Sequence, residues 1–219
     1  MTQVYPDHVE QAYEHTHVHR YEVSLNRIKK RCPNPKVIVD VGGESPFTHR
    51  LKALWPDAEV IQVIDDVREL KTWAAIGNEE ADLVLCMEVM EHLGDHDGIY
   101  YGRGVGVCLD ECRRVLKKGG IFFLTTPNLN SICCLLKLLA HEDVANWAYH
   151  PHELGFKTVV NTVAKAGFEV IESGTEEPYM HLKPPNYPSL HELMSRTISQ
   201  LGFHQDNRGE MTVVIARKR

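Results

Sequence analysis

One short apolar segment limits the fold of this chain more than any other feature. Residues 81–87, with the sequence ADLVLCM, are almost entirely apolar, and Glu88, Glu91 and His92 follow directly behind them. A strand that is apolar along its whole length is buried on both faces, which is typical of parallel sheets covered by helices. Such sheets bind ligands at the carboxyl ends of their strands, so the segment predicts a small-molecule site at its acidic end.

The rest of the chain alternates between strand-like and helix-like segments. Strands are predicted at residues 36–41, 59–64, 121–125, 168–172 and 211–216, and helices at residues 13–30, 46–54, 109–117, 158–166 and from 189 toward 201. Ser45 and Pro46 have the residue types of an N-cap and a first helical position. Ser189 and Glu192 have the spacing of a capping box. The alternation predicts an α/β fold with a doubly wound, mostly parallel Rossmann-like sheet.

Composition restricts the class of protein. The 219 residues, 43% of them hydrophobic, suffice for one compact core. The net charge is −6, and the sequence contains no cluster of basic residues that predicts a broad face for binding nucleic acid. The longest apolar stretch, residues 132–140, is too short for a membrane span, and the N-terminus lacks the pattern of a signal peptide. We therefore expect a cytoplasmic protein whose six cysteines are reduced thiols.

Several motifs occur in a fixed order along the chain. They are VDVGG at residues 39–43, the acids Asp65 and Asp66 after the second strand, DLVLCMEVMEHL at 82–93, RVLKKGG at 114–120 and AGFEV at 166–170. This set resembles the class I S-adenosylmethionine (SAM) dependent methyltransferases, in particular the small type-11 and type-23-like domains. The resemblance implies a helical lid at residues 1–35, with Arg20 and Tyr21 as lid contacts, ahead of a methyltransferase domain at residues 36–219.

The resemblance also implies SAM as cofactor and a set of residues that hold it. These are Asp40, Gly42, Gly43, Glu44, Asp65, Asp66, Met87 and Glu88. Glycines allow the amino-acid part of the cofactor to approach the backbone, and an acid after the second strand can accept hydrogen bonds from the ribose diol. The alternatives are an ordinary strand-to-helix turn for the glycines and a solvated strand end for Asp65 and Asp66.

Two departures from the family pattern bear on these expectations. Glu44 and Pro46 occupy the positions of the second and third glycines of the usual Gly-x-Gly-x-Gly turn. Glu44 could accept a hydrogen bond from the cofactor's ammonium group, or it could repel the ligand. The segment between Asp66 and Asp82 is shorter than the usual helix and strand, so we expect a shortened sheet edge after the second strand, with an antiparallel last strand at the other side.

Two kinds of chemistry are open for the polar residues after residue 87. His92 is the predicted general base, because its ordinary pKa suits proton transfer near neutrality; alternatively it only packs beneath the loop. Glu88, Glu91 and His92 could instead face one divalent cation, joined by His152 from a later loop. Such a set resembles the metal site of some metal-assisted O-methyltransferases, including those that modify the 3′-terminal ribose of RNA.

The resemblance therefore predicts an enzyme, a SAM-dependent methyltransferase that acts on oxygen, less readily nitrogen, of a small metabolite or glycan precursor. The loops at residues 140–155 and 176–188 are rich in His, Tyr, Trp and Pro, which suits either acceptor binding or variable surface. One alternative is a metal-assisted RNA ribose methyltransferase, which the acidic charge disfavours. The other is a non-catalytic binding protein that keeps the fold.

Overall fold

The computed structural model describes residues 7–94, 103–144, 150, 152–204 and 206–219. Within them, helices and strands alternate for most of the chain. The elements are α1 (Asp7–Arg31), β1 (Val37–Val41), α2 (Pro46–Leu54), β2 (Glu59–Val63), β3 (Ala81–Met87), α3 (Arg103–Val115), β4 (Leu116–Pro127), α4 (Ile132–Leu139), α5 (Phe156–Lys165), β5 (Phe168–Glu176), α6 (Tyr187–Gln200) and β6 (Met211–Lys218). Residues 145–149 and 151 of the predicted acceptor loop lie outside the described residues.

The strands form one mixed sheet in the order β2-β1-β3-β4-β6-β5. β1 pairs in parallel with β2 and β3, and β3 pairs in parallel with β4. β6 runs antiparallel to both β4 and β5. The predicted fold class is confirmed, including the antiparallel last strand. In the described part of the chain β2 forms the edge of the sheet, as the short segment after it predicted.

Each face of the sheet carries its own core. On one face, Val84 and Phe122 of the sheet pack with α3 and α5. On the other, Leu83 and Phe123 pack with α1 and α2, and Ile28 of α1 is completely buried there. Adjacent strand residues point to opposite faces, so a strand buried on both sides must be apolar throughout. This explains why residues 81–87 contain so few polar side chains.

Two sequence predictions of helix ends are wrong. The helix predicted at 109–117 ends at Val115, because Leu116 pairs with Ala81 in the sheet and Lys117 forms a 2.6 Å ion pair with Asp82. The predicted capping box at Ser189 is also wrong: α6 begins earlier, at Tyr187, with a proline in its first turn. The ring of proline fixes a helical φ at that position, which favours the earlier start. Ser45 and Pro46 do begin α2 as predicted.

Candidate active site

The parallel strands bring three predicted site segments to one edge of the sheet. β1, β2, β3 and β4 run in the same direction, so their carboxyl ends lie side by side. The glycine turn follows β1, the two aspartates follow β2, and Glu88 to His92 follow β3. Met87 itself is the half-buried last residue of β3. This edge is where a doubly wound sheet binds its ligand.

The turn after β1 depends on both of its glycines. Gly42 has φ +111° and Gly43 has φ +94°, values in the left-handed region that L side chains rarely adopt. A Cβ added to Gly42 would lie 2.7 Å from Cγ2 of Val89, whereas a Cβ on Gly43 would meet no described atom within 4 Å. The backbone at Gly43 therefore faces open space, as a turn that receives a ligand requires.

The two predicted acidic contacts on either side of this turn have other partners. Asp40 is buried, and Oδ2 accepts a 2.6 Å hydrogen bond from the hydroxyl of Thr48, in the first turn of α2. Burial raises the pKa of Asp40 to about 6. Glu44 is exposed and forms ion pairs with Lys52 and His49. The hydrogen bond from Lys52 lowers the pKa of Glu44. Asp40 thus stabilises the start of α2, and Glu44 lies on its exposed flank.

The structure separates the roles of the two aspartates after β2. Asp66 accepts hydrogen bonds from the backbone N–H of Arg68 at 3.0 Å and from its guanidinium at 2.8 Å. The same guanidinium donates to the carbonyl of Gly94 at 2.6 Å. Asp66 therefore holds the loop after β2 against the loop after β3. Asp65 is exposed at the strand end, so it is the better placed of the two to meet a ligand.

Glu88, at the end of β3, pairs with the N-terminal helix. Its backbone has φ +54°, and its N–H donates to the carbonyl of Thr125 at 2.9 Å. Oε2 lies 3.4 Å from Nη1 of Arg20, while Oε1 is buried and receives no hydrogen bond from the described residues. Arg20 also donates to the hydroxyl of Tyr179 at 3.2 Å. One buried cation thus joins α1, the end of β3 and the loop after β5.

Glu91 is completely buried beside Glu88. Oε2 accepts a 2.9 Å hydrogen bond from the hydroxyl of Thr126, whereas Oε1 receives no hydrogen bond from the described residues. Burial, reinforced by the negative charge of Glu88, holds the pKa of Glu91 well above its usual range. A buried carboxyl with one uncommitted oxygen is suited to binding either a proton or a cation.

His92 lies at the exposed side of Glu91, next to a histidine that the sequence did not single out. The rings of His92 and His150 lie 4.7 Å apart, nearly perpendicular. Nδ1 of His150 lies 2.6 Å from Oε1 of the buried Glu153. Ligand atoms of Glu91, His92 and His150 all lie within 4.8 Å of one another.

This cluster of Glu91, His92 and His150 differs from the predicted metal set. Among the described residues it includes neither Glu88, which pairs with Arg20, nor the imidazole of His152. His152 contributes its backbone N–H instead, which donates to the carbonyl of Glu91 at 3.1 Å. The spacing of His150, His152 and Glu153 was a possible sequence signal for this site, but it does not tell which imidazole faces His92.

Comparison with known proteins supports the fold and the family. A family model described as a methyltransferase domain matches residues 13–173. A ubiquinone biosynthesis O-methyltransferase of Nitrobacter winogradskyi is 30% identical over 115 residues, which cover 52% of this chain and 41% of that protein. The corresponding protein of Bradyrhizobium sp. is 38% identical over 115 residues, 52% of this chain and 42% of its own length. The match thus covers less than half the length of these curated relatives.

Solved structures with little sequence identity share the same fold. A SAM-dependent methyltransferase from Archaeoglobus fulgidus superposes with a TM-score of 0.60 at 16% identity, covering 94% of this chain and 99% of that one. Phosphoethanolamine N-methyltransferase 2 of Haemonchus contortus, in complex with SAM, has a TM-score of 0.57 at 14% identity, covering 98% of this chain and 57% of that one. No described helix is both long and apolar enough to cross a membrane. The match of the family model over residues 13–173 shows that the chain belongs to the methyltransferase-domain family of class I, whose cofactor is S-adenosylmethionine.

Proposed function

We propose that this methyltransferase transfers a methyl group from SAM to an oxygen of a small acceptor molecule. The observation that carries the proposal is the juxtaposition, at one sheet edge, of an open glycine turn and a cluster of carboxyl and imidazole groups. Gly43 faces open space after β1, and Glu91 and His92 follow the neighbouring β3. Such a site has room for a cofactor beside groups that can take a proton from an acceptor.

The residues present at this edge fit the cofactor. The positive φ values of Gly42 and Gly43 leave the backbone accessible, and the buried Oε1 of Glu88 lacks a donor among the described residues, which an ammonium group would supply. The exposed carboxylate of Asp65 is available to a ribose diol. When bound, SAM supplies an electrophilic methyl group on a positively charged sulfur. Gly42, Gly43, Asp65, Met87 and Glu88 would hold it.

An oxygen acceptor is favoured over nitrogen by the curated relatives, which are named as O-methyltransferases. A hydroxyl group must lose its proton as the methyl group is transferred, so an O-methyltransferase needs a proton acceptor at this edge. His92 is exposed and next to His150, whose ring is oriented by Glu153. In this proposal His92 receives the proton, and His150 and Glu153 keep its surroundings in place.

A metal-assisted transfer is the second candidate, favoured by the cluster of Glu91, His92 and His150. Hydrogen bonds to neighbouring side chains orient two of these residues, Glu91 through Thr126 and His150 through Glu153, as is usual for metal ligands. A divalent cation bound there would lower the pKa of an acceptor hydroxyl. The net charge of −6 makes RNA a poor acceptor for such a site.

Calorimetry with SAM and its demethylated product, S-adenosylhomocysteine, tests the proposal. We expect binding in the micromolar range and its loss in a Gly43→Trp variant. Gly106→Ala serves as the control, because a Cβ at this position of α3 would meet no described atom within 4 Å. Failure to bind either compound would support the alternative of a non-catalytic binding protein. Activity that survives EDTA but is lost in His92→Gln supports the imidazole base, whereas loss in EDTA supports the metal.

A further inference from the structure

A second group of titratable side chains lies at the same sheet edge, beyond β4. Glu177 follows β5 and Glu210 precedes β6, and these two strands pair at Glu176 and Met211. Glu210 is almost completely buried, and its carbonyl accepts a 2.7 Å hydrogen bond from the N–H of Asn128, just after β4. Glu210 therefore lies two strands from β3 and Glu177 three, at roughly 10 and 14 Å for an ordinary strand spacing.

The two carboxyl groups contact each other. One oxygen of each has a partner: His191 lies 2.9 Å from Oε1 of Glu177, and Lys183 forms an ion pair with Oε1 of Glu210. The Oε2 atoms of both glutamates are buried and receive no hydrogen bond from the described part of the chain. Burial and the contact with Glu210 raise the pKa of Glu177 to about 8, so near neutral pH the two carboxyl groups share a proton.

The rest of this group is neutral or already paired. Lys183 donates to the thiol of Cys133 at 3.2 Å and lies over the ring of Tyr187, and burial raises the pKa of Cys133 and Tyr187. The Lys183 ammonium thus balances one of the two negative charges that the carboxyl pair can carry. Among the described residues no second ammonium or guanidinium group contacts the pair, and beside the His191 imidazole the second charge is balanced by the shared proton, whose place a cation of another kind could take.

Glu177 connects the pair to a cleft of about 420 Å³ between α1 and the loop after β5. The cleft has an apolar wall of Val23, Pro178 and Met180, and its imidazoles, His19 and His181, stack edge to face with centroids 4.6 Å apart. Glu176 also lines it but is paired with Arg27. A volume of this size, with apolar walls and one acidic site, suits a small organic molecule with a positive charge.

We propose that this cleft binds an organic amine, with the protonated amino group at Glu177, the member of the carboxyl pair that lines the cleft, and the carbon skeleton against Val23, Pro178 and Met180. Binding replaces the shared proton, which leaves to solvent, by the ammonium group, so the charge of the pair stays balanced. Resting on the proposed function, this makes the acceptor of methyl transfer an amine-bearing alcohol or phenol, whose hydroxyl reaches the site at β3.

The test is calorimetry of the 219-residue chain with benzylamine and with benzyl alcohol, its neutral isostere. We expect the amine to bind at least about tenfold more tightly than the alcohol, since a charge-assisted hydrogen bond contributes that much. Titrations in two buffers of different ionisation enthalpy, near neutral pH, should show release of about one proton per bound amine. Glu177→Gln and Glu210→Gln should each reduce amine affinity about tenfold or more, while Glu192→Gln, exposed on α6, should not.

Equal binding of amine and alcohol, or amine binding without proton release and unaffected by Glu177→Gln, would overturn the inference and leave the pair a structural feature. SAM binding is measured on the same variants as a check of folding. Intact SAM binding and methylation of neutral hydroxyl acceptors only, without amine binding, would refute this inference but retain the proposed function. Amine binding in a protein that binds no SAM would do the reverse.

Discussion

The hydroxyl of Thr126 donates a 2.9 Å hydrogen bond to Oε2 of Glu91, and so joins the end of β4 to the turn after β3. Both residues are buried. Thr126→Val keeps the shape of the side chain but leaves the buried carboxyl without this donor. We expect the variant to lower the free energy of unfolding by about 1–3 kcal/mol in urea titrations. Thr126→Ser, which keeps the hydroxyl, should stay close to the original protein, and equal stability of the valine variant would contradict this account.

The two glycines after β1 should differ in their sensitivity to alanine. Both positions have a left-handed backbone, which costs about 1–3 kcal/mol for other residues. Only at Gly42 does the new Cβ also meet Val89, at 2.7 Å. Gly42→Ala should therefore destabilise the protein more than Gly43→Ala. Combining Gly42→Ala with Val89→Ala should recover part of the difference, and thermal unfolding of the three variants measures it.

Burial of Asp40 makes stability depend on pH in the weakly acidic range. The pKa of Asp40 is raised by burial from 3.8 to about 6, so the folded protein binds a proton that the unfolded chain has already lost. This contribution is present in full below about pH 4 and is lost as pH rises through about 6. It amounts to about 3 kcal/mol by linkage. Asp40→Asn should flatten the stability curve between these values; an unchanged curve would exclude Asp40 as its cause.

The contact between Arg20 and Glu88 offers a test of the lid that residues 1–35 are proposed to form. The two side chains lie 3.4 Å apart and are mostly buried, so removal of the guanidinium in Arg20→Met leaves the Glu88 carboxylate buried without its charge partner. We expect weaker SAM binding and a lower thermal stability in this variant, and Glu88→Gln should partly restore the stability but not the SAM binding. Arg31→Met, at the exposed end of α1, is the matched control.

Limited proteolysis gives an independent measurement of the same lid. If α1 covers the cofactor, saturating SAM should slow cleavage within residues 14–31 several-fold in the original protein and less in Arg20→Met. Cleavage that is insensitive to SAM in both proteins would show that α1 is a fixed part of the sheet core. Its buried residues Tyr21 and Ile28, which pack with Leu83, make that a real alternative.

Local sequence determined the strands and the glycine turn of this protein. Residues 81–87 form a strand because only a doubly covered sheet buries so continuous an apolar run, and Gly42 and Gly43 adopt φ values that other residues avoid. Parallel strands then place the residues after Val41, Val63 and Met87 at one edge whatever the loops contain. These elements, and the position of the site, could therefore be predicted.

The packing of helices and loops over the sheet determines which side chains meet. His92 contacts His150 rather than His152, Arg20 pairs with Glu88, and Glu177 contacts Glu210. The two members of each pair are so far apart in the sequence that no periodic pattern predicts their contact. The end of α3 was mispredicted for the same reason, since pairing of Leu116 with Ala81 outweighs the local preference for a glycine-capped helix. Interactions between distant residues depend on how helices and loops pack over the sheet, and local propensity carries no information about that packing.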